Sequence, residues 1–281
     1  MNISRRQNWF DDSYSEWEDQ YADQGLRGRQ VRKRMELAYE YLCEERLPPG
    51  ARILDLGCGP GIIAEKISSG NYQVSCVDFS PEMLLRARER LKGSGCKPAA
   101  YIQADAQSLP FKTGTFDAVL CIGVVSWVED PDMLLNETAR VLRPGGILII
   151  TAINMLSIEN LFDPLFWWRS LLPSNLRAKM RDIVGTAVVN KGKDGYLNKY
   201  QFRLRYFDRM LESAGFKKTR WRTIKYGHFR LFKRRLFPVF AEVAIDRAFE
   251  CLWWVPVIRS LGWLYCVKAM RKENGIIVQN H

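Results

Sequence analysis

The stretch Ile53–Gly61, with the sequence ILDLGCGPG, constrains the fold of this chain more than any other. Its first half is apolar apart from Asp55, which is typical of a buried strand. Three glycines then follow at alternate positions, and residues 62–69 have the pattern of a helix. Glycine lets a backbone approach a ligand closely, and the first turn of a helix offers unpaired N–H groups to an anion. The stretch therefore predicts a nucleotide-binding turn between a strand and a helix.

From residue 51 onward, strand and helix patterns alternate. Strands are predicted at 51–57, 73–78, 99–103, 116–122 and 146–153, and helices at 61–69, 81–92 and 131–142. Further along, a helix over 203–214 and strands over 217–226 and 263–271 are predicted. Strands joined by short crossover helices form a parallel sheet with helices on both faces. The predicted fold class is α/β, with a doubly wound, mostly parallel seven-stranded sheet.

The glycine turn fits two kinds of nucleotide site. Residues 59–64 match G-x-G-x-x-A, the dinucleotide pattern, and Asp78 lies about 20 residues further on. That match is weak when it stands alone. The motifs that follow it along the chain favour a different family.

Four motifs in order resemble those of class I S-adenosylmethionine (SAM)-dependent methyltransferases. They are Asp55-x-Gly57-x-Gly59-x-Gly61, VDFSPEML at 77–84, ADA at 104–106 with LPF at 109–111, and VLRPGG at 141–146. As a set they resemble the branch that includes the ubiquinone and menaquinone methyltransferases. The resemblance implies a transferase with a Rossmann-like fold that uses SAM and releases S-adenosylhomocysteine.

The resemblance also implies a set of cofactor-binding residues. The acid of the first motif would meet the amino group of SAM, and the acid after the second strand would accept hydrogen bonds from both ribose hydroxyls. Residues after that strand would flank the adenine, the third motif would bind its edge, and the end of the fourth strand would contact the methionine portion. The set is Asp55, Gly57, Cys58, Gly59, Gly61, Asp78, Phe79, Met83, Asp105, Ala106, Cys121 and Ile122. Alternatives are that Asp78 caps a helix, Asp105 is a turn residue and Phe79 is core.

Catalytic residues are harder to predict than cofactor residues. Many similar enzymes have a histidine after the fourth strand, where this chain has Ser126-Trp127. The catalytic candidates are His228, Tyr14 and Tyr21, with Asn154, Glu159, Asp163 and Tyr200 as further polar side chains. A phenol or carboxylate acceptor ionises easily and would need no base, whereas a carbon acceptor would need one. Methylation of O, N or C stays open. No metal site is predicted, because His and Cys residues show no metal-ligand spacing.

Segments outside the sheet suggest where an acceptor binds. Residues 1–47 are predicted to form an N-terminal helical extension that covers the cofactor pocket. Residues 48–281 are predicted to form the methyltransferase domain. Two insertions, 155–200 and 227–262, are rich in aromatic residues. We expect them to form the acceptor site for a large apolar molecule of the quinone, isoprenoid, lipid or tetrapyrrole type.

The positive charge of the chain is concentrated in one place. Residues 217–235 hold nine Lys or Arg and no acid, within a formal net charge of +11. An apolar helix follows between Pro238 and Pro256, and its acids at 242, 246 and 250 fall on one narrow polar stripe. Cations beside an apolar helix predict that 217–262 lies on an anionic membrane surface. The alternatives are a lid with its aromatic residues turned inward, or an RNA-binding surface.

Three functions follow from these observations. The leading one is a SAM-dependent methyltransferase acting on a hydrophobic small molecule or lipid at a membrane surface. The first alternative is an RNA methyltransferase that uses the 217–235 basic stretch, and the second is a non-catalytic SAM-binding regulatory protein. Seven cysteines without paired spacing, and the lack of an apolar leader, predict a cytoplasmic protein that is peripheral on the inner face of a membrane. The oligomeric state is not predicted.

Overall fold

A computed structural model describes residues 19, 23, 25–95, 99–161, 200–226, 229–231 and 234–273. The helices are α1 (Leu26–Cys43), α2 (Ile62–Ser68), α3 (Pro81–Gly93), α4 (Pro131–Val141), α5 (Ile158–Leu161), α6 (Leu204–Ser213), α7 (Val239–Cys251) and α8 (Pro256–Leu261). The strands are β1 (Arg52–Leu56), β2 (Gln73–Asp78), β3 (Ala100–Gln103), β4 (Phe116–Cys121), β5 (Leu142–Ile153), β6 (Phe216–Ile224), β7 (Arg230–Leu231), β8 (Arg234–Arg235) and β9 (Leu264–Arg271).

Seven strands form one sheet in the order β3-β2-β1-β4-β5-β9-β6. Strands β1 to β5 pair in parallel, and β9 runs antiparallel between β5 and β6. Because β6 is antiparallel to β9, it points the same way as β5. The carboxyl ends of β1 to β6 therefore lie at one edge of the sheet. This topology confirms the predicted doubly wound, mostly parallel seven-stranded fold.

Local sequence accounts for the start of two crossover helices. The Ser80 hydroxyl accepts a hydrogen bond from the Met83 N–H (3.1 Å), and Pro81 opens α3. Asp130 caps α4 in the same way, and Pro131 follows it. A capping side chain satisfies a free N–H, and proline has the backbone angle that a first turn requires.

Two apolar layers sandwich the sheet. On one face, α4 and α6 pack over Val119, Leu148 and their neighbours. On the other, α1, α2 and α3 pack over Ile53, Ile149 and the residues around them. The N-terminal helix thus belongs to the core of the α/β domain, because its Tyr41 and Leu42 are almost fully buried.

Strand β5 is longer than predicted, and the difference has a structural cause. It begins at Leu142, directly after α4, whereas the sequence pattern placed its start at residue 146. Leu142 pairs with Phe116 and Ile147 pairs with Ala118, so β5 holds extra residues between these two pairs. The Pro144-Gly145-Gly146 run forms this bulge, with Gly145 at φ +72°, a conformation that glycine adopts without strain.

Helix α7 turns its polar stripe toward the protein and an apolar face toward solvent. Glu242 and Asp246, on the polar stripe, are fully buried, whereas Phe240 is 77% exposed. The acids therefore face the protein and an apolar face is turned to solvent. The lid alternative, with its aromatic residues inward, is correct for Phe249, which stacks on Tyr226 with ring centres 5.5 Å apart, and wrong for Phe240.

Most of the first insertion, residues 162–199, lies outside the described residues, and so do most of residues 1–24. The domain limits predicted for these segments stay predictions. Within the described ranges, no helix is both long and apolar enough to cross a membrane.

Candidate cofactor site

The glycine turn lies where β1 ends, at the carboxyl edge of the sheet. Gly57 and Gly59 have φ angles of +70° and +51°, which side chains rarely adopt. A Cβ atom on Gly57 would lie 2.2 Å from a methyl carbon of Val124. Gly59 differs, because a Cβ there would meet nothing within 4 Å. Gly57 is thus required by packing and by backbone conformation, and Gly59 by conformation alone.

Asp78, at the end of β2, holds this turn in place. One carboxylate oxygen accepts a hydrogen bond from the Gly59 N–H (2.8 Å) and the other from the Ser80 N–H (3.0 Å). A carboxylate can accept several hydrogen bonds, so a role in holding the turn is compatible with accepting from a ligand's hydroxyl groups. The helix-cap alternative for Asp78 is wrong, since the Ser80 hydroxyl caps α3.

Asp55 is buried beside Asp78 at the same edge. Only 1% of it is exposed, and its Oδ2 atom has no hydrogen-bond partner among the described residues. Burial, and after it the charge of Asp78, raises the pKa of Asp55 to about 8, and a hydrogen bond from the Ala64 backbone offsets this only in part. A buried carboxyl with a free oxygen suits a cationic ligand group, which would restore its ionised form.

These residues line one cavity at the carboxyl edge. Ten of the predicted cofactor-binding residues lie on its wall: Asp55, Gly57, Cys58, Gly59, Asp78, Phe79, Met83, Asp105, Ala106 and Ile122. Except for Met83, which lies in the first turn of α3, they come from the ends of β1, β2, β3 and β4, which the parallel sheet brings to one edge. The predicted site residues of the sheet's first half are thus assembled around a common space.

Two predicted cofactor residues do not line the cavity. Gly61 caps α2 at φ +79°, where a Cβ would lie 3.0 Å from Ala87, so its role is packing between α2 and α3. Cys121 is fully buried in the sheet, and burial raises the pKa of its thiol well above the usual range. Such a thiol is a small core residue.

Other residues on the wall were missed by the sequence analysis. Arg34 and Met35 reach the cavity from α1, and Val124, Trp127 and Val128 reach it from the segment after β4. A guanidinium nitrogen of Arg34 lies 3.1 Å from where a Cβ on Gly123 would be. The pattern of α1 predicted a covering helix, but nothing in it indicated which residue would enter the pocket.

Asp105 has a structural role in addition to its position on the wall. Its carboxylate accepts hydrogen bonds from the backbone N–H (3.0 Å) and the side-chain amide (3.0 and 3.1 Å) of Gln107. Asp105 thus stabilises the turn that follows it, and its role toward the adenine stays a prediction. The two roles are compatible, because a carboxylate can accept several hydrogen bonds.

The catalytic candidates Tyr14, Tyr21 and His228 lie outside the described residues. Of the further candidates, Asn154 is buried, and its amide donates to the carbonyls of Ser260 (2.8 Å) and Gly262 (2.9 Å). It therefore fastens α8 to the end of β5. Tyr200 donates to the Glu129 carbonyl (2.9 Å), which fixes it against the loop that follows β4.

Four cations in the described part of the basic stretch have partners within the protein. Lys218 pairs with Asp208, and Arg220 pairs with Glu40 (3.2 Å) and Glu44. The Arg222 guanidinium carbon lies 5.1 Å from the centre of the Trp253 ring, and the Lys225 ammonium nitrogen lies 4.0 Å from the centre of the Trp263 ring. These contacts remove much of the open basic surface that an RNA ligand would require.

The cavity fits SAM by three features of its wall. The Oδ2 atom of Asp55, which has no partner among the described residues, suits the ammonium group, the guanidinium of Arg34 suits the carboxylate, and the Asp78 carboxylate suits ribose hydroxyls. Phe79 and Met83 supply apolar surface for a base. Within the described ranges, no group of three or more His, Cys, Asp and Glu side chains is placed to hold a metal ion.

Comparison with known proteins agrees with this geometry. A family model described as "Methyltransferase domain" matches residues 54–150, from β1 to β5. A ubiquinone biosynthesis O-methyltransferase of Xanthomonas axonopodis pv. citri is 34% identical over 115 residues, which are 41% of this chain and 48% of that protein. One from Xylella fastidiosa is 35% identical over 111 residues, 39% of this chain and 45% of that protein. These matches span about half the length of the curated relatives.

Solved structures with the same fold cover most of the chain. A magnesium protoporphyrin IX methyltransferase from Synechocystis, with bound S-adenosylhomocysteine, has a TM-score of 0.59 at 14% identity and covers 95% of this chain and 98% of its own. A methyltransferase in complex with the Trm112 activator of Haloferax volcanii has a TM-score of 0.59 at 17% identity. The match covers 94% of this chain and 97% of that one. At such identities the likeness shows the fold alone.

The motifs, the cavity and the family match all fall on the same part of the chain. Residues 54–150 supply β1 to β5 and nearly all of the cofactor wall. Residues 54–150 of this chain form a class I SAM-dependent methyltransferase domain, and this domain is similar to that of the ubiquinone-biosynthesis O-methyltransferases.

Proposed function

We propose that this protein transfers a methyl group from SAM to a quinone-type or similarly apolar small molecule at a membrane surface. The observation that carries the methyl-transfer part is the cavity, in which Asp55 and Asp78 flank a glycine turn. The acceptor class is supported by the curated relatives, which are named ubiquinone biosynthesis O-methyltransferases. It is also supported by apolar side chains, Val124, Trp127 and Val128, on the cavity wall beyond the glycine turn.

In this proposal the protein acts mainly by positioning the reactants. SAM supplies an activated methyl group on a sulfonium. An acceptor oxygen would bond to that methyl carbon as the carbon–sulfur bond breaks, with the electron pair of that bond going to sulfur and the acceptor's proton to solvent or to a base. Asp55, Arg34 and Asp78 would fix the methionine and ribose portions, so that the methyl group points to the acceptor. Such alignment supplies much of the rate enhancement.

The two alternatives receive less support than methyl transfer to an apolar acceptor. An RNA methyltransferase needs free cations, and the described cations of 217–226 are mostly paired or stacked. A regulatory protein without catalysis needs no acceptor space, whereas Trp127 and Val128 line the cavity beside the cofactor residues.

A transfer assay with a labelled methyl group tests this proposal. The full chain would be incubated with methyl-tritiated SAM and one of three acceptors: a phenol with a prenyl tail, the same phenol without it, or total RNA. We expect label in the prenylated phenol, less in the tail-free phenol and none in RNA, and loss of transfer in Asp78→Ala. Label in RNA but in neither phenol would contradict the proposal. Comparing metabolites from cells with and without the gene would identify the acceptor.

A further inference from the structure

One face of the molecule exposes an unusual amount of apolar surface. Of the eleven large apolar side chains that are exposed among the described residues, seven lie within 236–257. The most exposed are Phe240 (77%), Trp254 (67%) and Val257 (66%). The other four are at separate places in the chain: Leu85, Met133, Leu156 and Met270. Contiguous exposed apolar surface of this kind marks an interaction site.

The same face carries positive charge and no exposed acid. Residues 236–257 are all described, and every exposed position among them is apolar except Arg247. The three acids of α7 point away from solvent: Glu242 and Asp246 are fully buried, and the Glu250 side chain is 15% exposed. Arg234 and Arg235, in β8, come immediately before the face in the chain.

Internal contacts hold α7 in this orientation. The Arg29 guanidinium, on α1, lies 3.0 Å from a Glu250 oxygen and 3.4 Å from an Asp246 oxygen. The other Asp246 oxygen accepts a hydrogen bond from the Tyr226 N–H (2.8 Å). Because the acid stripe is anchored inward, the opposite stripe of α7 must face outward. The exposed apolar face is therefore a fixed feature of the fold.

We infer that the 236–257 face docks onto a lipid bilayer that contains anionic lipids, with α7 and α8 lying in the headgroup region. Aromatic and aliphatic side chains suit insertion at this depth, and tryptophan favours it. The exposed Arg247 suits anionic headgroups and adds to the attraction. The inward acids avoid the repulsion that an anionic surface would exert on carboxylates.

Docking would bring the cofactor edge of the sheet close to the membrane. Tyr226 follows β6 and Ile158 follows β5, and both pack with α7 and α8 in one apolar cluster. These strands end at the same edge as the glycine turn. A lipophilic acceptor could then pass from the bilayer to the site, a use that rests on the proposed function. The docking itself does not depend on methyl transfer.

Vesicle cosedimentation without SAM or acceptor tests the inference separately from catalysis. The full chain would be mixed with neutral phosphatidylcholine vesicles or with vesicles that also contain phosphatidylglycerol, at low and high salt. We expect binding to the anionic vesicles that falls with salt. Replacing Phe240 and Trp254 by Ser should weaken binding about tenfold or more, because two apolar rings that would enter the bilayer are removed. Arg247→Glu should weaken it severalfold.

Matched controls separate the face from general surface hydrophobicity. Leu85→Ser changes a 54% exposed residue on α3, and we expect unchanged binding. Quenching of tryptophan fluorescence by brominated lipid measures how deeply the face enters the bilayer. Trp254→Phe should remove most of this quenching, while the protein still binds the vesicles. Equal, negligible sedimentation with both vesicle types would overturn the inference. So would a concentration-dependent dimer that the Phe240 and Trp254 double substitution dissolves, because a second copy would then cover the face.

Discussion

At the scale of single residues, two carboxylates with different surroundings define the site. Asp78 is held by two backbone N–H groups, Gly59 and Ser80, and so is fixed in direction. Asp55 is buried, its Oδ2 atom has no hydrogen-bond partner in the described part of the chain, and its pKa is raised to about 8. The Asp78 carboxylate is therefore placed to accept hydrogen bonds from neutral hydroxyl groups, whereas the Asp55 carboxyl suits a positively charged ligand group.

Replacing Asp78 by Ala should weaken SAM binding by about 1–3 kcal/mol, the range for losing hydrogen bonds to a charged acceptor. Asp78→Asn should weaken it less, because one acceptor oxygen remains. Calorimetry of each variant would measure this. Glu82→Ala, which removes a half-exposed acid in the first turn of α3, is the control and should bind as the wild type does. Wild-type affinity in Asp78→Ala would remove Asp78 from the binding site.

The raised pKa of Asp55 predicts a pH dependence of SAM binding. Below about pH 8 the free site holds a protonated Asp55, and a bound ammonium group favours the ionised form. Binding then releases a proton, so affinity should rise with pH, by up to about tenfold per unit, and level off above pH 8. Calorimetry in buffers of different ionisation enthalpy would count the protons. Asp55→Asn should bind weakly and without this slope, and a slope that persists in it would assign the proton to another group.

At the scale of elements, α1 connects the cofactor site with the exposed face. Arg34 of α1 lines the cavity, and Arg29, on the same helix, pairs with Asp246 and Glu250 of α7. Just after α1, Glu44 and Glu45 pair with Lys268 of β9 at 2.8 and 2.6 Å. The helix is thus tied to the sheet at one end and to the insertion at the other.

Arg29→Met should lower the free energy of unfolding by about 1–3 kcal/mol, because it leaves the buried Asp246 carboxylate without its cation. Partial exposure of Arg29 limits the effect. Lys33→Met is the control on the same helix, since the Lys33–Glu36 pair is exposed with a 3.9 Å separation, and it should change stability by less than about 0.5 kcal/mol. Urea denaturation of both variants would compare them. Equal stability would mean that Arg29 does not anchor α7.

The first insertion is predicted to belong to the acceptor site. Deleting residues 160–180 should abolish turnover and leave SAM affinity near the wild-type value, because every described residue of the cofactor wall comes from other segments. Transfer assays and calorimetry on the same preparation would separate the two effects. If SAM affinity fell with turnover in a protein that remained folded, the insertion would belong to the cofactor pocket.

The sequence predicted those parts of the fold that depend on local pattern. The strands, the Ser80-Pro81 helix start and the glycine turn are local features, and each lies within a few residues of its predicted place. The entry of Arg34 into the cavity depends on how α1 packs against the sheet, which no local pattern encodes. The orientation of α7 likewise depends on Arg29, over two hundred residues away in sequence.

At the scale of the whole molecule, charge and apolar surface are distributed unevenly. The chain has a formal net charge of +11, yet several cations of β6 are paired or stacked inside the fold. The apolar 236–257 face lies at the same edge of the sheet as the cofactor cavity. One edge therefore combines the site for a polar cofactor with a surface suited to lipid.

The central claim is that the cavity binds SAM, and calorimetry on the purified full chain tests it most directly. SAM and S-adenosylhomocysteine should bind without added metal, with comparable dissociation constants in the micromolar range, and NAD should not bind. Asp78→Ala should weaken both ligands together. Micromolar binding of NAD without binding of SAM would contradict the claim and favour the dinucleotide interpretation of the glycine turn.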